Sequence, residues 1–168
     1  MSDEKSVKDL MIPLEDYPHI PYWFTLNQAV IIVREAAIKY EGSFEPRAVL
    51  VFDEKYHLLG ILTLKDIVRG LEGDILGGPG GAALMWKELV GQELQRQAQK
   101  QVSEVMSPFK VTVASSDSLA KALALMLQDN VERIPVLEDN KVMGLIRLAD
   151  LFKEISGALL LKDTPLIR

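Results

Sequence analysis

The sequence predicts a mixed α/β (α+β) chain built from two tandem βαββα units, and three observations carry that expectation. The stretch GILTLKDIV at residues 60–68 returns as GLIRLADLF at residues 144–152, with glycine, aliphatic and aspartate in matching places. Two further blocks repeat in the same order: SVKDLMIP (6–13) with QVSEVMSP (101–108), and HIPYWFTLNQAV (19–30) with TVASSDSLAKAL (112–123). Within each copy, apolar spacing switches between the helical and the strand period. Ordered matches of this kind mark an internal duplication.

Each copy opens on a short segment ending in Met-x-Pro and then predicts strand, helix, strand, strand, helix. In TLNQAVIIVREAAIKY (25–40), Leu26, Val30, Val33 and Ala37 fall on one helical face. SLAKALALMLQDN (118–130) repeats this with Leu119, Leu123 and Met126, after an SSDS run that offers N-cap residues. RAVLVF (47–52) and LLGILT (58–63) read as strands around the polar turn DEKYH. RIPVLEDNKVMGLIRL (133–148) reads as the equivalent pair, with a tight turn at EDN. LKDIVRGLEG (64–73) and LADLFKEISGALL (148–160) close the copies as helices. A unit of ~60 residues buries little of its sheet alone. Packing two copies face to face would cover both apolar faces.

The predicted boundaries are 1–72 for the first unit, 73–100 for a linker and connecting helix, 101–160 for the second unit and 161–168 for a tail. GLEGDILGGPGG (70–81) reads as a flexible connector. No Gly-Lys-Ser/Thr follows its glycines, which excludes a phosphate loop. AALMWKELVGQELQRQAQKQV (82–102) reads as one helix with an uneven apolar face of Leu84, Leu89, Leu94 and Ala98. That face either packs on the body or docks a partner.

The chain has 168 residues, 48% hydrophobic and 26% charged, the balance of a globular protein. Nineteen basic against 24 acidic residues give a net charge of −5, so a broad nucleic-acid surface is not expected. The absence of cysteine excludes disulfides, thiolate metal sites and cysteine nucleophiles, and suits a cytoplasmic location. The charged start MSDEKSVKDLM is not a secretory signal. No apolar run approaches the ~20 residues of a membrane span.

A catalytic constellation is not legible. His19 and His57 are the only histidines and lack metal-ligand spacing, and no Gly-x-Ser-x-Gly elbow or phosphate-loop lysine is present. The acids of FDEK and LEDN fall in expected turns. The chain is therefore expected not to be an enzyme. YPHIPYWF (17–24) concentrates aromatics and prolines. It reads as a packed cap, or as a place where Tyr22 or Trp23 stacks on a base.

The opening V-x-x-hydrophobic-Met-x-Pro, the central hydrophobic-Pro-Val strand and the Gly-h-h-Thr-x-x-Asp turn resemble those of CBS domains, whose tandem pair is called a Bateman module. The openings are VKDLMIP and VSEVMSP, the central strands RAVLVFD and RIPVLED, and the turns GILTLKD and GLIRLAD. Val49 stands where the family proline is usual, and Arg147 where Thr63 is matched. The resemblance implies a pseudo-twofold pair and clefts for adenosine compounds such as AMP, ADP, ATP or S-adenosylmethionine, with no cofactor required. It also implies a regulatory module and a homodimer formed through helices, and leaves open a separately encoded effector protein as the partner that responds.

By this resemblance, Thr63 and Asp66 would meet phosphate and ribose, a hydroxyl and a carboxylate suited to those groups. Arg133 would serve the Thr63–Asp66 cleft and Arg47 the Asp150 cleft, with Ile134 and Ala48 beside the adenine. Arg147, Lys110 and Thr112 complete the candidate set. The same residues admit a local reading. Thr-x-x-Asp is close to a capping box, so Asp66 serves a helix start as readily as a ribose. Arg147 is a poor N-cap, so capping is not expected to account for Asp150. A ligand-independent interaction or dimerisation module is the alternative function.

Overall fold

The computed structural model describes residues 4–39, 48–72 and 86–160. The elements are α1 (Val7–Leu10), β1 (Ile12–Pro13), β2 (His19–Pro21), α2 (Leu26–Lys39), β3 (Ala48–Phe52), β4 (Leu58–Thr63), α3 (Leu64–Glu72), α4 (Trp86–Leu89), α5 (Gln92–Gln97), β5 (Val113–Ala114), α6 (Leu119–Asp129), β6 (Arg133–Glu138), β7 (Lys141–Arg147) and α7 (Leu148–Leu160). Short 3₁₀ turns lie at Leu14–Asp16 and Val102–Glu104. The duplicated βαββα order is thus present. The mixed α/β class follows from it.

Local chemistry sets the helix starts. Before α2, Thr25 N–H donates to Gln28 Oε1 at 2.9 Å and Gln28 N–H to Thr25 Oγ1 at 3.2 Å, a reciprocal cap. Ser118 Oγ accepts Lys121 N–H at 3.0 Å before α6. Asn130 ends α6 in the left-handed region at φ 52°, which asparagine tolerates. The tight hairpin between β6 and β7 places Asp139 and Asn140 at φ 53° and 63°, the pairing a two-residue turn requires. The expected connecting helix is instead two short ones, α4 and α5, broken at Gly91. Residues 73–85 of the connector, with Leu84, and the tail at 161–168 lie outside the described residues.

The described chain forms two compact units. Tyr17–Pro108 is a continuous unit, while Met1–Asp16 and Phe109–Arg168 together make a composite one. The continuous unit holds a three-stranded sheet in the order β2-β3-β4, with β2 parallel and β4 antiparallel to β3. The all-apolar β3 is buried throughout, and its core joins Val49, Val51, Leu62, Leu26 and Ile67. The composite unit holds four strands in the order β1-β7-β6-β5. Its core joins Val7, Val113, Met126, Ile134, Val136 and Ile146.

These units cut across the repeat, because the two copies trade their opening segments. Ser6 bridges Ser118, and Gln101 bridges Thr25. Val7 N–H donates to Asp117 O at 2.9 Å, and Val102 N–H to Phe24 O at 2.7 Å. Both valines are fully buried in the unit of the other copy. Ile12 pairs with Leu145 in β7, and Ser107 with Ile61 in β4. The compact units therefore do not coincide with the sequence copies: residues 4–16 pack with the second copy, and residues 101–108 with the first.

Candidate functional site

Each unit contains one strand-to-helix corner built from the repeated Gly-h-h-x-x-x-Asp turn. In the continuous unit, β4 ends at Thr63 and α3 starts at Leu64. Asp66 Oδ2 accepts Thr63 N–H at 3.0 Å, and Thr63 Oγ1 accepts Asp66 N–H at 3.1 Å. The capping reading of this motif is therefore realised. The other carboxylate oxygen, Oδ1, accepts the Ser107 hydroxyl at 3.0 Å. Asp66 is only 6% exposed. The Thr63 hydroxyl spends one acceptor lone pair on Asp66 and keeps its proton to donate. Ala48 faces Thr63 across the β3–β4 ladder and is fully buried. Arg47 lies outside the described residues.

Sequence reasoning gave Ser107 no role. It sits in the exchanged opening VSEVMSP, where the first copy has Ile12, and only the exchange reveals which aspartate it reaches.

The composite unit carries the other corner. Arg147 ends β7 and its backbone N–H donates to Asp150 Oδ2 at 3.0 Å. Its guanidinium also closes on that carboxylate, Nε to Oδ2 at 3.1 Å and the terminal nitrogen to Oδ1 at 2.8 Å. Capping thus does account for Asp150, contrary to the sequence expectation. The half of the box made by the acid needs only a backbone N–H, which arginine has, and the arginine fork adds two charge-assisted bonds.

Arg133 pairs directly with Arg147 across the β6–β7 ladder. Like charges placed opposite each other are unfavourable unless compensated. Asp150 compensates Arg147. The Nε of Arg133 is buried and has no hydrogen-bond partner among the described residues. Ile134 beside it is fully buried, so its side chain serves the core. Val113 pairs in parallel with Val136, and exposed Thr112 lies one residue short of β5, while exposed Lys110 lies in a bend outside the ladder. The Arg147 end of β7 carries the start of the 13-residue helix α7, whose dipole is positive there. The composite unit therefore brings together Arg133, Arg147 and Asp150, while Thr63 and Asp66 form their corner in the other unit.

The family is now shown by comparison. The CBS domain model matches residues 7–73 and 102–157, and the chain belongs to this family as a CBS pair. An uncharacterised protein of Methanocaldococcus jannaschii is 26% identical over 126 residues, 74% of this chain and 34% of that protein. This chain thus spans about a third of that relative's length. Among solved structures, the CBS-pair protein CBSX2 from Arabidopsis thaliana is similar at TM-score 0.65 and 20% identity, covering 96% of this chain and 99% of that one. The cytosolic domain of the Mg2+ channel MgtE, solved in complex with ATP, is similar at TM-score 0.62 and 21% identity, over 90% of this chain and 49% of that one. Among the described residues, no helix is long and apolar enough to cross a membrane.

Proposed function

We propose that this CBS pair is a regulatory module that binds an adenosine nucleotide, AMP, ADP or ATP, with Arg133 as the principal phosphate contact. CBS pairs are regulatory modules, and an ATP-bound solved structure shares this fold. The observation that carries the reading is the unsatisfied, buried Nε of Arg133. A buried donor without an acceptor costs about 1–3 kcal/mol, so the half-buried Arg133 side chain gains by turning its guanidinium out to an anionic ligand. Arginine and helix start together favour a phosphate over a neutral group. The Thr63 hydroxyl proton supports a separate, weaker anion contact within the continuous unit. Asp66 and Asp150 support ribose binding less well than their spacing suggested, because both already hold internal partners.

Ligand at a hundred times its dissociation constant stabilises by about 2.7 kcal/mol. For a chain of this size that is several degrees, at roughly 2–4 °C per kcal/mol. A thermal-shift panel of AMP, ADP, ATP and S-adenosylmethionine is expected to show this for the nucleotides. Arg133→Gln should remove it while leaving the unliganded transition intact. A response by Arg133→Gln equal to the parent's would refute the phosphate assignment, and silence across the panel would refute nucleotide binding.

One observation favours the interaction reading in addition. Helices α6 and α7 leave Leu127, Phe152 and Ile155 exposed, and a largely apolar groove of about 260 Å³ is lined by Leu119, Leu123, Leu151, Glu154, Ile155 and Ala158. This apolar face is our candidate for homodimer contact. An effector protein would read the nucleotide through the paired module.

A further inference from the structure

The YPHIPYWF segment is absorbed by neither corner. It runs along the continuous unit to the end of β3 remote from Thr63, where Phe52 leads into the loop that returns to β4 at Leu58. There His19, Pro21, Trp23, Phe52, Asp53, Glu54 and Tyr56 line a half-open pocket of about 290 Å³. That volume lies at the lower edge of small-ligand sites, roughly 300–1,000 Å³.

The walls are aromatic and the rim is acidic. The Phe52 and Tyr56 rings lie 4.9 Å apart at 45°, and His19 stands 5.8 Å from each. Trp23 is half-exposed and held edge-on by Tyr22 at 5.2 Å. Among the lining residues His19 is the one basic side chain. Its Nδ1 lies 2.9 Å from Tyr17 O, which can only accept, so Nδ1 carries the proton. Its Nε2 lies 2.6 Å from the Tyr56 hydroxyl, which orients both rings on the pocket. Glu54 is exposed. Asp53 Oδ1 accepts the backbone N–H groups of His57 and Lys55, both at 2.8 Å, and His57 Nδ1 lies 3.2 Å from Oδ2. The His57 amide first, with the Lys55 amide adding and burial opposing, holds the Asp53 carboxyl below its ordinary value of 3.8.

Backbone strain points to the same place. Tyr56 sits in the left-handed region at φ 65°, where a bulky residue is an outlier. The equivalent hairpin of the second copy fills its left-handed positions with Asp139 and Asn140, which adopt them readily. The first copy thus accepts a strained tyrosine and gains a ring on this pocket. Strain of this kind is characteristic of binding sites.

We propose that this pocket binds a small alkylammonium cation, with the rings of Trp23, Tyr56 and Phe52 facing its methyl groups and Asp53 and Glu54 supplying the countercharge. Ring quadrupoles attract a cation within about 6 Å of their centroids, and quaternary ammonium recognition by aromatic cages uses this attraction. A neutral guest of the same shape would gain only apolar contact. The site does not depend on the nucleotide reading.

Choline and its uncharged isostere 3,3-dimethyl-1-butanol separate these cases. Saturation-transfer NMR on the full chain at constant ionic strength is expected to show choline binding about tenfold tighter than the alcohol. Glu54→Gln, a change on the exposed rim, should weaken choline several-fold and leave the alcohol unaffected. Trp23→Leu should weaken choline by about tenfold. Tyr56→Phe keeps the ring and loses the His19 bond, so it should retain most of the affinity, with circular dichroism checking its fold. Equal affinity for the two probes, no saturable signal at millimolar choline, or choline binding unchanged by both Glu54→Gln and Trp23→Leu would each overturn the proposal.

Discussion

Gly60 and Gly144 occupy equivalent places in β4 and β7, and each faces a backbone carbonyl of a traded opening segment. A Cβ at Gly60 would stand 2.5 Å from the Ser107 carbonyl oxygen, and one at Gly144 would collide with that of Ile12. The glycine of the repeated turn is thus required by close approach of another backbone. Gly144→Ala is expected to destabilise the fold by about 1–3 kcal/mol through this clash. Gly157→Ala, in the interior of α7 with nothing near its added methyl, is expected to stabilise by about 0.5–1 kcal/mol. Urea unfolding of the two variants beside the parent checks both signs. Ser107→Ala would leave Asp66 Oδ1 buried without its hydroxyl and should cost about 1–3 kcal/mol in the same assay. The Thr63–Asp66 contact was legible from spacing, because a capping box is local. The Ser107 contact was not, because it joins residues 41 apart.

At the level of elements, periodicity and turn chemistry located the strands and long helices, since those signals act over a few residues. LLGILT is β4 residue for residue, and EDN holds the tight β6–β7 turn. The destinations of the two openings were not legible, since their four-residue helix and 3₁₀ turn carry no record of which copy they join. Those destinations make an unusual prediction. Deleting residues 1–16 removes β1 from the first sequence copy but should expose β7, in the second. Hydrogen exchange is expected to accelerate in β7 and α6 while β3 and β4 keep their protection. Acid should probe the same junction. Glu138 accepts the Ser115 hydroxyl at 2.7 Å, and Lys8 of the opening lies 3.6 Å away. The Ser115 bond first, then the Lys8 charge, lowers its carboxyl from the ordinary 4.5. Asp117 is lowered from 3.8, chiefly by the Ala114 backbone N–H and further by Lys121. Folded carboxyls with depressed values bind fewer protons than unfolded ones. Their stabilisation is therefore complete above the ordinary values and is lost as pH falls through the folded ones. Unfolding midpoints should drop below about pH 4.5, and Lys8→Met should flatten that dependence.

For the molecule as a whole, the exposed apolar face of α6 and α7 predicts self-association. Phe152→Glu places a charge there without touching either core, since Phe152 is 64% exposed. Sedimentation is expected to show a dimer for the parent and a shift towards monomer for this variant, with its unfolding by circular dichroism still cooperative. The reciprocal trade of openings has a further consequence for how the chain can be cut and how such chains arise. A protease nick among residues 73–85 would sever the backbone between the copies, yet each fragment would still hold a piece of the other's fold. The fragments should co-elute under native conditions and part only in denaturant. By the same logic a single copy expressed alone lacks the segment that completes its sheet, and can recover it only from a twin. A gene encoding half of this protein would therefore have needed to make a mutual embrace of two identical chains before fusion tied them into one.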